Sequence, residues 1–119
     1  MNEKKKRILV VDDDVTILKV FKNILEKEGY IVEAVDTGKV AAERIKKEKF
    51  NVCIIDVKLP DMDGTELLLK LTKTPETIKI IVTGFSSDEV GKKAADYGAD
   101  DFLVKPVKPE SSLLRYGKG

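Results

Sequence analysis

Asp12-Asp13-Asp14, Asp56, Thr83-Gly84 and Lys105 are the residues of this chain whose types and placement could do chemistry. Each group directly follows a short apolar run: Ile8–Val11, Val52–Ile55, Ile78–Val82 and Phe102–Val104. If those runs are strands of one sheet, carboxylates, a hydroxyl and an ammonium meet at one rim. Carboxylates crowded there repel one another by about 4 kcal/mol per pair at 4 Å and an effective dielectric near 20. Either protons or a cation must relieve this. Hard oxygen ligands with open positions suit Mg²⁺, which prefers octahedral geometry and keeps several waters. Asp12 and Asp13 are neighbours and point apart along a strand. In a turn beyond its end they can converge, one on the metal directly and one through water.

With such a metal in place, Asp56 is a competent nucleophile toward phosphorus, because the cation withdraws charge from the phosphoryl oxygens. Lys105 offers a second positive charge, the Thr83 hydroxyl a donor, and the backbone N–H groups near Gly84 further donors. That set answers the demand of phosphoryl transfer for positioning and electrostatics. No general base is required, since the attacking carboxylate is already ionised. An acidic triplet alone is more often a solvated turn or a helix cap, and Asp14 by itself reads that way. The weight lies in the conjunction of four strand ends, each carrying the residue type this chemistry needs.

The elements that must position these groups are legible as alternating runs. The strands expected are the four above and Ile31–Val35. Most are apolar at consecutive positions, as when both faces of a parallel strand are covered. Between them Ile17, Phe21 and Ile24, widened by Leu18 and Leu25, form a helical stripe. Leu67, Leu68 and Leu71 mark a later helix, behind the turn Leu59-Pro60-Asp61-Met62-Asp63-Gly64. Gly29 and Gly98 are placed as left-handed caps. Strand and helix alternate five times, predicting βαβ units and a doubly wound α/β sheet. Such sheets bind ligands at the carboxyl ends of their strands. The second run delivers only Asp36-Thr37, which suits an edge strand away from the site. Pro109–Tyr116 allows a last helix of about two turns at 3.6 residues each.

Composition is consistent with one soluble domain over residues 1–119. The 119 residues are 42% apolar and 36% charged, and 22 Lys+Arg against 21 Asp+Glu leave a net charge of +1. That balance argues against direct nucleic-acid binding and against a membrane surface as partner. There is no histidine, and Cys53 is the one cysteine. A Cys/His zinc site is therefore excluded, Cys53 reads as core packing, and a reducing cytoplasm fits. The basic start, Lys4-Lys5-Lys6-Arg7, precedes an apolar run too short for a signal peptide or a membrane span.

The runs Ile8-Leu9-Val10-Val11-Asp12-Asp13-Asp14, Ile54-Ile55-Asp56-Val57-Lys58-Leu59-Pro60-Asp61-Met62-Asp63-Gly64, Ile81-Val82-Thr83-Gly84 and Phe102-Leu103-Val104-Lys105-Pro106 resemble receiver domains of two-component response regulators. The resemblance covers about Arg7 to Pro106. It implies a five-stranded flavodoxin-like sheet in the order 2-1-3-4-5 and transfer from the phosphohistidine of a partner histidine kinase or phosphotransfer protein. It implies Asp56 as acceptor, Asp13 as a direct Mg²⁺ ligand, Asp12 on a metal-bound water and the Lys58 carbonyl completing the protein ligands. Thr83 and Lys105 would carry the switching hydroxyl and ammonium, and Lys105-Pro106 would be cis. Lys58 and Phe85 would tune loss of the phosphoryl group. The product would be a signalling switch, catalysing only its own phosphotransfer and dephosphorylation, that acts on an output partner through its helix 4–strand 5–helix 5 face. Phe102 stands where many receivers have tyrosine, so the aromatic can swing inward but brings no hydroxyl. The short last helix puts a homodimer through that face in question.

Two other readings compete. Asp12-x-Asp14-Val15-Thr16 after a strand also fits the first motif of haloacid-dehalogenase-type phosphatases, with Asp12 as nucleophile and Asp14 as general acid/base. That reading leaves little chain for a substrate cap and gives Asp56 no role. A flavodoxin-like module for a nucleotide or flavin would want a phosphate-cradling loop after the first strand, where three aspartates repel one.

Overall fold

The structure is a computed structural model in which residues 5–84 and 88–105 are described. Five strands form its sheet: β1 (Arg7–Val11), β2 (Ile31–Val35), β3 (Val52–Asp56), β4 (Ile78–Thr83) and β5 (Asp101–Val104). All neighbours are parallel and the order is β2-β1-β3-β4-β5, as the resemblance implied. Four helices connect them: α1 (Val15–Lys27), α2 (Gly38–Lys47), α3 (Glu66–Lys70) and α4 (Asp88–Asp96).

The consecutive apolar residues divide between two cores, one on each face. Leu9, Val11, Cys53, Ile55 and Ile81 pack with Ala41 of α2, Leu67 and Leu68 of α3 and Ala94 of α4. Ile8, Val10, Ile54, Ile80 and Val82 pack on the other face with Leu18, Phe21 and Leu25 of α1. Alternate residues of a strand point to opposite faces, so a strand covered twice must be apolar throughout. Strand β3, in the middle, is buried at all five positions, whereas the edge strand β2 exposes Ile31. Cys53 is fully buried, as its core reading required.

Asp14 is the N-cap of α1, its carboxylate accepting from the N–H groups of Thr16 and Ile17. Gly29 and Gly98 follow α1 and α4 with φ of 97° and 99°, the left-handed conformation that glycine adopts without strain. Several boundaries differ from the sequence reading, with β1 and β5 each starting one residue earlier, at Arg7 and Asp101. Strands β3 and β4 each run one residue further and include Asp56 and Thr83, because Asp56 still pairs with Val82 and Thr83 with Val104. Helix α3 is only five residues long and stops before Leu71. Beyond it the hydroxyls of Thr72 and Thr74 donate to the carbonyls of Leu69 and Leu71, an alternative to continued helix. No helix among the described residues is long and apolar enough to cross a membrane. Phe85, the Lys105-Pro106 bond and the last helix at Pro109–Tyr116 lie outside the described residues.

Candidate phosphoacceptor and metal site

The parallel register brings β1, β3, β4 and β5 to an end on the same rim. Asp12 immediately follows β1, Asp56 and Thr83 are the last residues of β3 and β4, and Lys105 immediately follows β5. A backbone hydrogen bond of 2.8 Å from the Lys105 N–H to the Thr83 carbonyl fastens the last two ends together. Asp12, Asp13 and Asp56 each offer a carboxylate oxygen, and the three lie within 4.8 Å of one another. Asp12 and Asp56 are buried whereas Asp13 is exposed, so the cluster opens to solvent on one side. The neighbours Asp12 and Asp13 converge in the turn after β1, as the sequence required.

Lys105 spans the acids. Its Nζ lies 2.9 Å from Asp12 Oδ2 and 3.6 Å from Asp56 Oδ2. Burial pulls the lysine pKa down, but the hydrogen bond to Asp12 and the charges of both aspartates outweigh it and hold the ammonium above its ordinary value. Asp56 moves against the usual direction for a carboxyl. Burial raises its pKa, Asp12 repels its charged form, and Asp13 adds to that repulsion. Lys105 and a backbone N–H from Lys58 work the other way, and the net result is a rise from 3.8 to about 6. A carboxyl so disfavoured as an anion, with two more acids beside it, is a ready ligand for a hard divalent cation. The donor set fits that ion: all oxygen, clustered, and open to water on the Asp13 side.

Thr83 is buried beside Asp56's strand, and Gly84 follows it at the exposed mouth. Phe102, half-buried on β5 opposite Ile81, packs against the core shared by α2, α3 and α4. Lys58 is exposed next to the acceptor and forms an antiparallel bridge with Asp63. The rim thus brings together Asp12, Asp13, Asp56 and Lys105, with a Lys58 backbone N–H on Asp56, while Thr83 ends the neighbouring strand with Gly84 after it, and Phe102 packs against the core.

The hairpin after Asp56 holds residues whose roles the sequence reading missed. Gly64 is forced: a Cβ there would stand 1.9 Å from the Asp56 carbonyl oxygen. Its N–H donates to the Val57 carbonyl at 2.7 Å, closing the hairpin. Asp61 accepts from the N–H groups of Gly38 and Lys39 at 2.8 and 2.9 Å, capping α2 from 23 residues away. Asp63 fixes the turn before α3 by accepting from the Thr65 N–H and hydroxyl, and pairs with Lys93 of α4 at 3.0 Å. Burial opposes ionisation of Asp63, but Thr65 and Lys93 together hold its pKa below the usual carboxylate range. A cap contributed from a distant loop leaves no local pattern. The only cue was the density of acids in the turn itself.

The phosphatase reading finds no support here. It needs Asp14 as a proton carrier, yet that carboxylate is occupied as the cap of α1. It also needs Asp12 as nucleophile, yet Asp12 is held by Lys105 on one oxygen and by the Asp14 N–H, at 2.9 Å, on the other.

Comparison with known proteins agrees with this geometry. The family model of the response regulator receiver domain matches residues 8–115. The alginate biosynthesis transcriptional regulatory protein AlgB of Pseudomonas aeruginosa is 34% identical over 118 residues, covering 98% of this chain and 26% of AlgB. The transcriptional regulatory protein SrrA of Staphylococcus aureus is 32% identical over 108 residues, covering 91% of this chain and 45% of SrrA. This chain therefore spans about a quarter to less than half of those regulators. Among solved structures, a CheY-like receiver domain protein from Methanospirillum hungatei superposes with a TM-score of 0.90 at 45% identity, over 94% of this chain and 90% of its own. A response regulator from Burkholderia pseudomallei, whose structure holds a phosphorylated aspartic acid and a calcium ion, gives 0.86 at 29% identity, over 92% and 65%. In sheet order, acidic cluster and sequence alike, the chain belongs to the response regulator receiver domains of two-component signalling.

Proposed function

We propose that Asp56 is the phosphoacceptor of this receiver, charged by the phosphohistidine of a partner histidine kinase or phosphotransfer protein with Mg²⁺ at Asp12, Asp13 and Asp56. The observation that carries the proposal is the position of Asp56. It ends the central strand, buried, with two acids beside it and the Lys105 ammonium, shared with Asp12, 3.6 Å away. An oxygen of Asp56 attacks phosphorus, the bond from phosphorus to the donor imidazole breaks, and that nitrogen keeps the electron pair and takes a proton. Lys105 offers its charge to one phosphoryl oxygen and the Thr83 hydroxyl donates to another. The Asp13 and Asp56 carboxylates and the Lys58 carbonyl, with Asp12 acting through water, would hold the metal, which would supply charge neutralisation for the incoming group. The chain catalyses its own charging and discharge and turns over no other substrate.

The phosphoryl group gives Thr83 and Lys105 a charge-assisted partner, so it favours the state in which both reach inward. The aromatic ring of Phe102 fills the space that Thr83 vacates, which alters the surface of α4 and β5 presented to an output partner. A cytoplasmic location, with which the unpaired thiol of Cys53 accords, completes the reading.

Beryllofluoride with Mg²⁺, a stand-in for the phosphoryl group, provides the test through backbone amide spectra. Wild type should shift at the β1, β3, β4 and β5 ends and along α4. Asp56→Asn should not respond, and Thr83→Ala should bind with much smaller shifts in α4 and β5. Asp13→Asn should weaken Mg²⁺ binding at least tenfold. Equal responses from wild type and Asp56→Asn would overturn the assignment.

A further inference from the structure

Away from the acidic rim, helices α2 and α3 enclose a groove of about 810 Å³. Its apolar part is formed by Ala42 and Ile45, both half-buried, and by Leu69, which is 48% exposed. The solvent-facing leucine joins the half-buried Ala42 and Ile45 in one concave apolar strip, the shape that binding clefts take. The rims are basic. Six lysines line the groove, including Lys46 and Lys47 of α2 and Lys70 and Lys73 of the opposite wall, against the acids Glu43 and Glu48. Glu48 is already engaged, at 2.5 Å by Arg7 and at 2.7 Å by Arg44. The whole chain carries a net charge of only +1, so this positive excess belongs to the groove and not to the surface at large.

We propose that this groove docks an acidic amphipathic helix of a partner protein. Leucines at i and i+4 of such a helix would sit on Ala42, Ile45 and Leu69, while its flanking glutamates meet the lysines of both rims. The ten residues of α2 make a wall about 15 Å long at 1.5 Å per residue, which matches about three turns of a docked helix. Other anionic surfaces suit the groove less. Its lining holds neither an arginine fork nor an aromatic platform for nucleic acid. Its apolar strip lies recessed between two walls, where a flat bilayer would not reach. The surface is separate from α4 and β5. It is tied to the acceptor hairpin through Asp61, which caps the N-terminus of α2.

The test uses the unphosphorylated protein, so its outcome is independent of the role of Asp56. The probe is a stapled helical peptide of about four turns, glutamates with leucine at every third or fourth position, titrated against the ¹⁵N-labelled chain. Amide shifts should be confined to α2, α3 and the turn after α3. Affinity should fall at least tenfold in Lys46→Glu/Lys70→Glu, and should fall as salt rises from about 50 to 500 mM. A lysine-for-glutamate version of the peptide should bind that variant better than it binds wild type, which keeps the test valid if the variant is slightly destabilised. Shifts that are absent at millimolar peptide, that map elsewhere, or that ignore the charge reversal would overturn the proposal. So would phosphatidylserine vesicles that capture the protein through these lysines while the peptide leaves its spectrum unchanged.

Discussion

Replacing Asp56 by asparagine keeps the shape of the side chain and removes its charge, so the metal-free variant should be more stable than wild type at neutral pH. The carboxyl rises from 3.8 to about 6 in the folded protein. A raised carboxyl pKa means that the folded chain holds this proton more tightly than the unfolded chain does. Stability from this group is therefore present below pH 3.8, declines as pH rises toward 6, and is gone above it. At 1.36 kcal/mol per pKa unit, the cost of the ionised group at pH 7.5 is about 3 kcal/mol. Asparagine does not titrate and escapes it, less whatever it loses with Lys105. For a domain of this size about 1 kcal/mol moves the melting temperature by about 4 °C, so the gain reaches about 12 °C at most. Urea and thermal unfolding in chelator at pH 4 and pH 7.5 would measure it. The difference should be near zero at pH 4 and largest at pH 7.5. Millimolar Mg²⁺ should close it by stabilising wild type alone. A variant no more stable than wild type at pH 7.5 without metal would refute the electrostatic argument.

Gly64→Ala should cost about 3 kcal/mol or more, because the new Cβ meets a backbone oxygen that cannot yield; a melting curve unchanged from wild type would contradict this. Asp14→Ala should cost about 1 kcal/mol as a lost cap while leaving phosphorylation by acetyl phosphate intact. Cys53, whose thiol burial pushes up to about 12, should not react with Ellman's reagent at pH 8 until the chain is unfolded by urea. Asp61→Ala should loosen the start of α2, seen as faster amide exchange at Gly38 and Lys39, with little effect on α3.

The five strands were legible because a doubly covered strand must be apolar throughout, and polar residues then mark its ends. That rule found Asp12, Asp56, Thr83 and Lys105 together. It stopped β3 and β4 one residue early, since Asp56 and Thr83 are polar yet still paired within the sheet. Helix α3 was harder. Its leucine stripe extends to Leu71, but threonine hydroxyls compete for the carbonyls that would continue the helix. Asp14 was legible as a cap because its partners are two and three residues away. Asp61 and the pairing of Asp63 with Lys93 were not, because Gly38, Lys39 and Lys93 become neighbours of these acids only after the sheet has formed. The rise in the Asp56 pKa was equally out of reach, since it depends on burial and on distances that only the folded chain defines.

The central claim is that Asp56, and neither Asp12 nor Asp13, carries the phosphoryl group. Incubation with acetyl phosphate and Mg²⁺, reduction with borohydride and peptide mass spectrometry would locate the acyl phosphate directly. One adduct should form, at Asp56, and Asp56→Asn should acquire none while Asp12→Asn retains some. Label trapped at Asp12, or an adduct that survives loss of Asp56, would contradict the account.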